Sequence, residues 1–416
     1  MRMKKLLLAA LVCASPSAYA DVPFAVDVDR PFHEYTWLTA HNAFVNSPGL
    51  FPNQTLAIRR QLQSGVRGLM LDLHESAGRV RLCHGTCVGL EPTFADVLND
   101  EILPYVRSVS HTVVTLHLED PVSREALAAE LAHAPDAVAL TFNPASWDTA
   151  TWPTLRQMAD AGQRLVILSQ HYRNAGAIET AAGLAHVLFD RAYTSENEWS
   201  LGASIAEHDT SCRSRWEGQS LGASITSGDQ AWPRLFVMNH FHGVPLGGHS
   251  WLDNRYDTLR ARIDDACAPE AGRKPNYVAV DFVEAGQVGS VVAALNLGTI
   301  EFFDGVDGAG ERLCAVAAGG RRTVDLDEND LDRCPPRRVR SAVIRDVPAG
   351  TRITLSDGIS RRAPRMTVDV RHDLAGERAL VARFDTPQAD DHVMAEIRDG
   401  GPSRGITHVA FEPPPR

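Results

Sequence analysis

The chain is 416 residues long, 44% apolar and 22% charged, with a formal net charge of −11. That is too apolar for a disordered chain and too often interrupted by charge for a polytopic membrane protein. Lysine occurs only at Lys4, Lys5 and Lys274 and basic runs do not exceed short arginine pairs, so nucleic-acid binding and a polybasic membrane anchor are set aside.

The first element in chain order is a leader. Arg2, Lys4 and Lys5 precede an apolar run from Leu6 to Val12 and a small-x-small site, Ala18-Tyr19-Ala20. This is the order of a secretory signal peptide, and the run is too short to span a bilayer. Cleavage near Ala20 removes three positive charges and no negative one, taking the charge from −11 to −14. No later segment reaches the roughly 18 uninterrupted apolar residues of a membrane helix, so a secreted or periplasmic protein is expected. Cys13 leaves with the leader, and Cys83, Cys87, Cys212, Cys267, Cys314 and Cys334 remain. An even number in an exported chain points to disulfides; six cysteines allow fifteen connectivities, and nearest-neighbour pairing is expected. No second Cys or His pair has zinc-site spacing, so cysteine-held metal is not expected.

Residues 21–297 form the second unit. Strands are predicted over Thr36–Ala40, Val66–Leu73, Val80–Cys83, Thr112–Glu119, Arg164–Ser169, Leu235–Asn239 and Tyr277–Asp281. Helices are predicted over Thr55–Gln63, with Asn53 as N-cap and Gly65 just past the end, and over Arg124–His133. Alternating strands and helices imply parallel pairing, and the fold class is α/β: a (β/α) barrel followed by a small all-β domain. In the second strand Leu69, Leu71 and Leu73 share one face and Gly68, Met70 and Asp72 the other. In the fourth, Val114, Leu116 and Leu118 oppose Thr115, His117 and Glu119. Each strand thus has an apolar face for the helices and a face ending in a carboxylate aimed at the C-terminal mouth. Residues 196–232, with the repeat Ser200–Ile205 and Ser220–Ile225, read as a long surface loop over that mouth. Residues 298–411 read as a small all-β module with strands such as Thr299–Phe303, Thr323–Leu326, Arg352–Leu355, Met366–Val370 and Ala379–Arg383, faintly similar to βγ-crystallin-like domains. The proline-rich end, 412–416, is expected to be disordered.

The chemistry sits at strand ends. His41 follows the first strand, and His84 follows the strand ending at Cys83; two such histidines can serve as general base and general acid. Asn42, Asp72 and Glu119 supply oxygen donors suited to Ca²⁺ or Mg²⁺. Asp281, at the end of the last strand, can hydrogen-bond a histidine and set its tautomer. Singly, each is more often a satisfied polar group than a catalyst, so His111, His117, His133, His171 and His186 receive no role. His240 is a borderline case for the pocket wall.

Four blocks in order, Trp37-Leu38-Thr39-Ala40-His41-Asn42, Gly65–Asp72, Leu82-Cys83-His84-Gly85 and Val114–Asp120, resemble the X-domain of phosphatidylinositol-specific phospholipases C. The resemblance runs from about Phe32 to Asn296 and is greatest to exported proteins consisting of the X-domain. It implies a distorted TIM barrel, with His41 as base and His84 as acid in phosphodiester cleavage through a cyclic phosphate. Asn42, Asp72 and Glu119 match three cation ligands of the Ca²⁺-dependent branch. Met70 replaces a fourth and is a poor Ca²⁺ partner. The arginine that the metal-independent branch has at the Asp72 position is missing, and no substitute arginine is evident. The resemblance also implies bridges Cys83–Cys87, around His84, and Cys212–Cys267; Cys314 and Cys334 are expected to pair within the β-module. The expected partner is a phosphodiester or phospholipid head group, with at most peripheral membrane contact. The competing readings are a glycerophosphodiester or sphingolipid phosphodiesterase and a non-catalytic ligand- or surface-binding barrel. Oligomeric state is left open.

Overall fold

In a computed structural model, residues 27–46, 52–204, 207–327, 334–335, 337–374, 376–402 and 405–414 are described. The leader over 1–20 and its cleavage site at Ala20 lie outside them. One sheet holds β1 (Trp37–Ala40), β2 (Val66–Ser76), β3 (Arg79–Leu82), β4 (Val114–Glu119), β5 (Leu165–Ser169), β6 (Gly176–Thr180), β7 (Gly183–Phe189), β8 (Thr194–Glu196), β9 (Leu235–His240) and β10 (Tyr277–Val280). Its strands run β6-β7-β5-β4-β2-β1-β10-β9-β8, with β3 paired to β2. Every neighbouring pair is parallel except β2–β3 and β6–β7, which are antiparallel.

Without those two accessory strands, β1, β2, β4, β5, β7, β8, β9 and β10 follow one another around the sheet in chain order, as in a TIM barrel. Curvature brings β4 and β10 together across the interior, where Thr115 Oγ1 and the Tyr277 hydroxyl lie 2.9 Å apart. The distortion is a seam: among the described residues no ladder joins β7 to β8, which are linked by the short helix Asp190–Tyr193. Gly68 faces inward where β1 and β2 approach, and a Cβ there would collide with the Thr39 side chain.

Side-chain alternation separates two apolar layers. Leu69, Leu71, Val114, Leu116, Phe236, Met238, Val278 and Val280 point outward into the core beneath the helices. Trp37, Val166, Leu168, Leu235, Val237 and Tyr277 point inward and join Phe142, Trp152 and Trp232 in an aromatic floor. The period-two reading of β2 and β4 therefore holds in register.

Several local expectations need correction. The first barrel helix is Ile58–Gln63 with Ala57 as N-cap, so Asn53 is not its cap; Gly65, at φ 100°, does lie just past its end. The hairpin β6–β7 and the short strand β8 were not read from the sequence, since Gly176–Phe189 mixes Gly, Glu, Thr and His with its apolar residues. The stretch 196–232 is largely irregular and mostly exposed, and it reaches the mouth cavity through Trp199 and Arg215, as expected of a loop over the mouth; Leu201, Cys212, Leu221 and Trp232 are its buried anchors. All three nearest-neighbour disulfides are formed.

After the buried helix Val288–Leu297 the chain builds two antiparallel sheets, one of four strands and one of six. They enclose their own core, which includes Ile300, Phe302, Val368 and Phe411. The last strand is His408–Glu412, so Glu412 is ordered sheet, not the start of a tail.

Candidate active site

His41 leaves β1 at the C-terminal end of the barrel. Backbone bonds to both neighbours continue past the strand end: His41 N donates to Val280 O and Ala43 N to Met70 O, both at 3.0 Å. Its ring Nδ1 lies 2.8 Å from Asp281 Oδ1, and Asn53 Nδ2 donates to the same oxygen at 2.8 Å. The Asp281 carboxylate accepts, so His41 Nδ1 carries the hydrogen and Nε2 is left bare for the cavity. One face of the imidazole stacks on Phe241, with centroids 3.5 Å apart and planes 4° from parallel. Gln54 Nε2 holds the backbone by donating to His41 O (2.8 Å) and Val280 O (3.0 Å). The residues after both members of the dyad are left-handed, Asn42 at φ 43° and Phe282 at φ 50°. Asn tolerates this region, whereas a side chain such as Phe282 costs of order 1–2 kcal/mol there; such strain clusters at functional sites.

His84 arrives by a different route. β2 continues beyond the mouth to Ser76 and turns through Ala77-Gly78, both at positive φ, and β3 returns antiparallel. Cys83 N then donates to Asp72 O, so the next residue, His84, lands at the level of Asp72. The Cys83–Cys87 bridge closes the loop around it. His41 and His84 line one cavity of about 450 Å³, together with Asn42, Asp72, Glu119 and Met70.

Asp72 and Glu119 are lateral neighbours in the β2–β4 ladder. Burial first, and then the Glu119 charge, push the Asp72 carboxyl up to about 7, against a smaller opposing pull from His41. Asn42, Asp72 and Glu119 bring oxygen donors to one cavity, and the repulsion between the two carboxylates is what a bound cation would relieve. The residues present therefore fit a hard divalent ion, with Met70 as a non-donor on the same wall.

The structure adds residues that the sequence reading passed over. His117 lines the cavity, packs edge-on against Tyr277 and is pushed down to about 3 by burial, which keeps it neutral. Arg215, from the long irregular stretch, brings a guanidinium to the cavity wall, where its NH1 pairs with Glu196 Oε1 at 2.9 Å. An arginine does reach the site, from a segment no strand-end motif marks. His240 is not a pocket residue: it is buried, donates from Nε2 to Asp253 O and takes Arg262 NH1 on Nδ1. Asn53 had a visible polar signal, but its position before a helix suggested a cap.

The class the fold defines is a (β/α) barrel whose mouth carries an Asp-oriented imidazole and a second imidazole. The PI-PLC X family model (PI-PLC X 1) matches residues 28–217. A PI-PLC X domain-containing protein of Arabidopsis thaliana is 30% identical over 304 residues, covering 67% of this chain and 64% of that protein. An uncharacterized secreted protein of Arthroderma benhamiae is 22% identical over 312 residues, covering 72% of this chain and 68% of its own length. A solved phosphatidylinositol-specific phospholipase C from Listeria monocytogenes aligns with 65% of this chain and 96% of its own, at 11% identity and a TM-score of 0.43. Residues 28–217, a little under half of the chain, match the PI-PLC X domain. The chain spans a little under two thirds of the Arabidopsis relative.

Proposed function

We propose that this protein is an exported phosphodiesterase that cleaves a phospholipid head-group ester, with an inositol phospholipid as the leading substrate. One observation carries the reading: an Asp281-oriented His41 and a second imidazole, His84, line the same cavity. His41 Nε2 takes the proton of a substrate hydroxyl next to the phosphorus. The oxygen attacks phosphorus, the bond to the departing lipid oxygen breaks, and His84 donates a proton to that oxygen. Water then opens the cyclic phosphate with the two roles exchanged. Asp281 stabilises the imidazolium that forms on His41, and Asn53 holds Asp281 in place. A hard divalent cation, Ca²⁺ or Mg²⁺, bound by Asn42, Asp72 and Glu119, would offset charge on the phosphate oxygens.

Lipid rather than soluble diester is favoured by Val88 and Leu90, 78% and 90% exposed just beyond the His84 loop, where they can touch a bilayer surface. Export is supported by the three disulfides and by the name of the secreted relative. Among the described residues no helix is long and apolar enough to cross a membrane.

The test is release of cyclic inositol phosphate from phosphatidylinositol vesicles, with and without EDTA. Turnover is expected from the wild type and not from His84→Ala. Equal turnover by both discards the mechanism, and turnover only of glycerophosphodiesters or sphingomyelin moves the substrate to those classes.

A further inference from the structure

On the outer side of the catalytic dyad, three segments meet around one carboxylate. Asp253 ends the helix Gly247–Asp253, His242 lies two residues past β9, and His208 belongs to the long irregular stretch. His208 Nε2 is 3.2 Å from Asp253 Oδ1, and His242 Nε2 is 3.1 Å from Asp253 Oδ2. The three donor groups all lie within 4.8 Å of one another. For bonds of about 2.0–2.1 Å, the edges of a tetrahedral site are about 3.3 Å long.

The tautomer of His242 decides the chemistry. Its Nδ1 is 3.2 Å from Ser204 O, a carbonyl that only accepts, so Nδ1 carries the hydrogen. With Nδ1 given to that carbonyl, Nε2 is the nitrogen turned toward the carboxylate, in a side chain 4% exposed. A divalent ion can be shared between this ring nitrogen, the His208 ring and the carboxylate, whose donor atoms lie within 4.8 Å of one another. A backbone carbonyl on the far nitrogen is also the usual outer support of a metal-binding histidine. Behind Asp253, His240 donates to its main-chain carbonyl at 3.0 Å and is itself held by Arg262.

We propose that His208, His242 and Asp253 form a second metal site, for a zinc-class divalent ion, distinct from the hard oxygen site at the barrel mouth. Two imidazoles and one carboxylate suit such an ion far better than Ca²⁺. His208, 43% exposed, leaves the fourth position open to solvent. The site ties the irregular stretch to the peptide that carries Phe241. Leu201 N donates to Phe241 O at 2.7 Å, Gly243 N to Gly202 O at 2.9 Å, and Phe241 stacks on His41. Asn254, next to Asp253, donates from Nδ2 to Asp281 O at 3.0 Å. Bound metal would therefore brace both partners of the dyad from outside, and the site stands whether or not the phosphodiesterase reading does.

Chelator-stripped full-length protein titrated with ZnCl₂ in a calorimeter is expected to take one equivalent in or below the micromolar range. His208→Ala, at a half-exposed position that folding tolerates, should weaken this at least about 100-fold, and Asp72→Asn/Glu119→Gln should leave it unchanged. Cobalt in place of zinc should give the visible absorption of a tetrahedral centre in the wild type and not in His208→Ala. Zinc held equally by wild type and His208→Ala, zinc lost in the Asp72/Glu119 variant, or no binding below millimolar zinc would each overturn the proposal.

Discussion

At the N-terminal end of the barrel strands, Trp152 sits between Phe142 and Trp232 with ring centroids 5.6 and 5.0 Å away, and its Nε1 donates to Pro233 O. At the C-terminal end of the same strands, His41, Asp72, His84 and Glu119 surround an open cavity. In the floor the Trp152 and Trp232 indoles both donate to carbonyls, and the rings are buried. The mouth keeps paired carboxylates and a left-handed Phe282, arrangements that cost stability and that the proposed chemistry would use. The contrast places stability at one end and the proposed chemistry at the other, and it can be broken from either side.

The largest expected effect is at the mouth. His41→Ala should lower turnover roughly 100- to 10,000-fold, the usual range for a positioned acid–base group, while leaving the urea midpoint nearly unchanged. A comparable loss of stability would place His41 in the floor's category. The converse test is Trp232→Ala, which removes a fully buried ring and its bond to Thr149 O. It should cost about 3–5 kcal/mol in denaturant unfolding, with turnover per folded molecule preserved.

A pH experiment sharpens the boundary between the two ends. Asp190, buried on the cavity wall beside the seam, is pushed up to about 7 by burial and then by Glu196. Its carboxyl holds a proton in the folded state that the unfolded chain releases near 4, so stability should fall as pH rises from about 4 to about 7, by up to about 1.4 kcal/mol per unit. Asp190→Asn should flatten that slope; an unchanged slope would remove Asp190 as its source. The smallest effect is expected from Phe241→Leu, which keeps the volume but loses the flat ring against His41. About 1 kcal/mol, or a few-fold in kcat, is the scale of such a stack. A loss as large as that of His41→Ala would mean that Phe241 does more than support the imidazole.

What could be read from the amino-acid order was whatever a short window encodes. The alternation in Val66–Leu73 and Thr112–Glu119 sets which side chains face the barrel interior, because β-geometry has period two. The histidines at the ends of two strands, the acid on the last strand and the even cysteine count are equally local signals. The folded chain alone determined the partners. Asn53 reaches Asp281 across 228 positions, Arg215 enters the cavity from an irregular stretch, and His208, His242 and Asp253 converge from three separate elements. None of these residues follows a periodic pattern, since a loop's course is set by the packing of the elements it joins. Their chemistry therefore exists only once the barrel has curled and brought distant stretches within hydrogen-bonding reach.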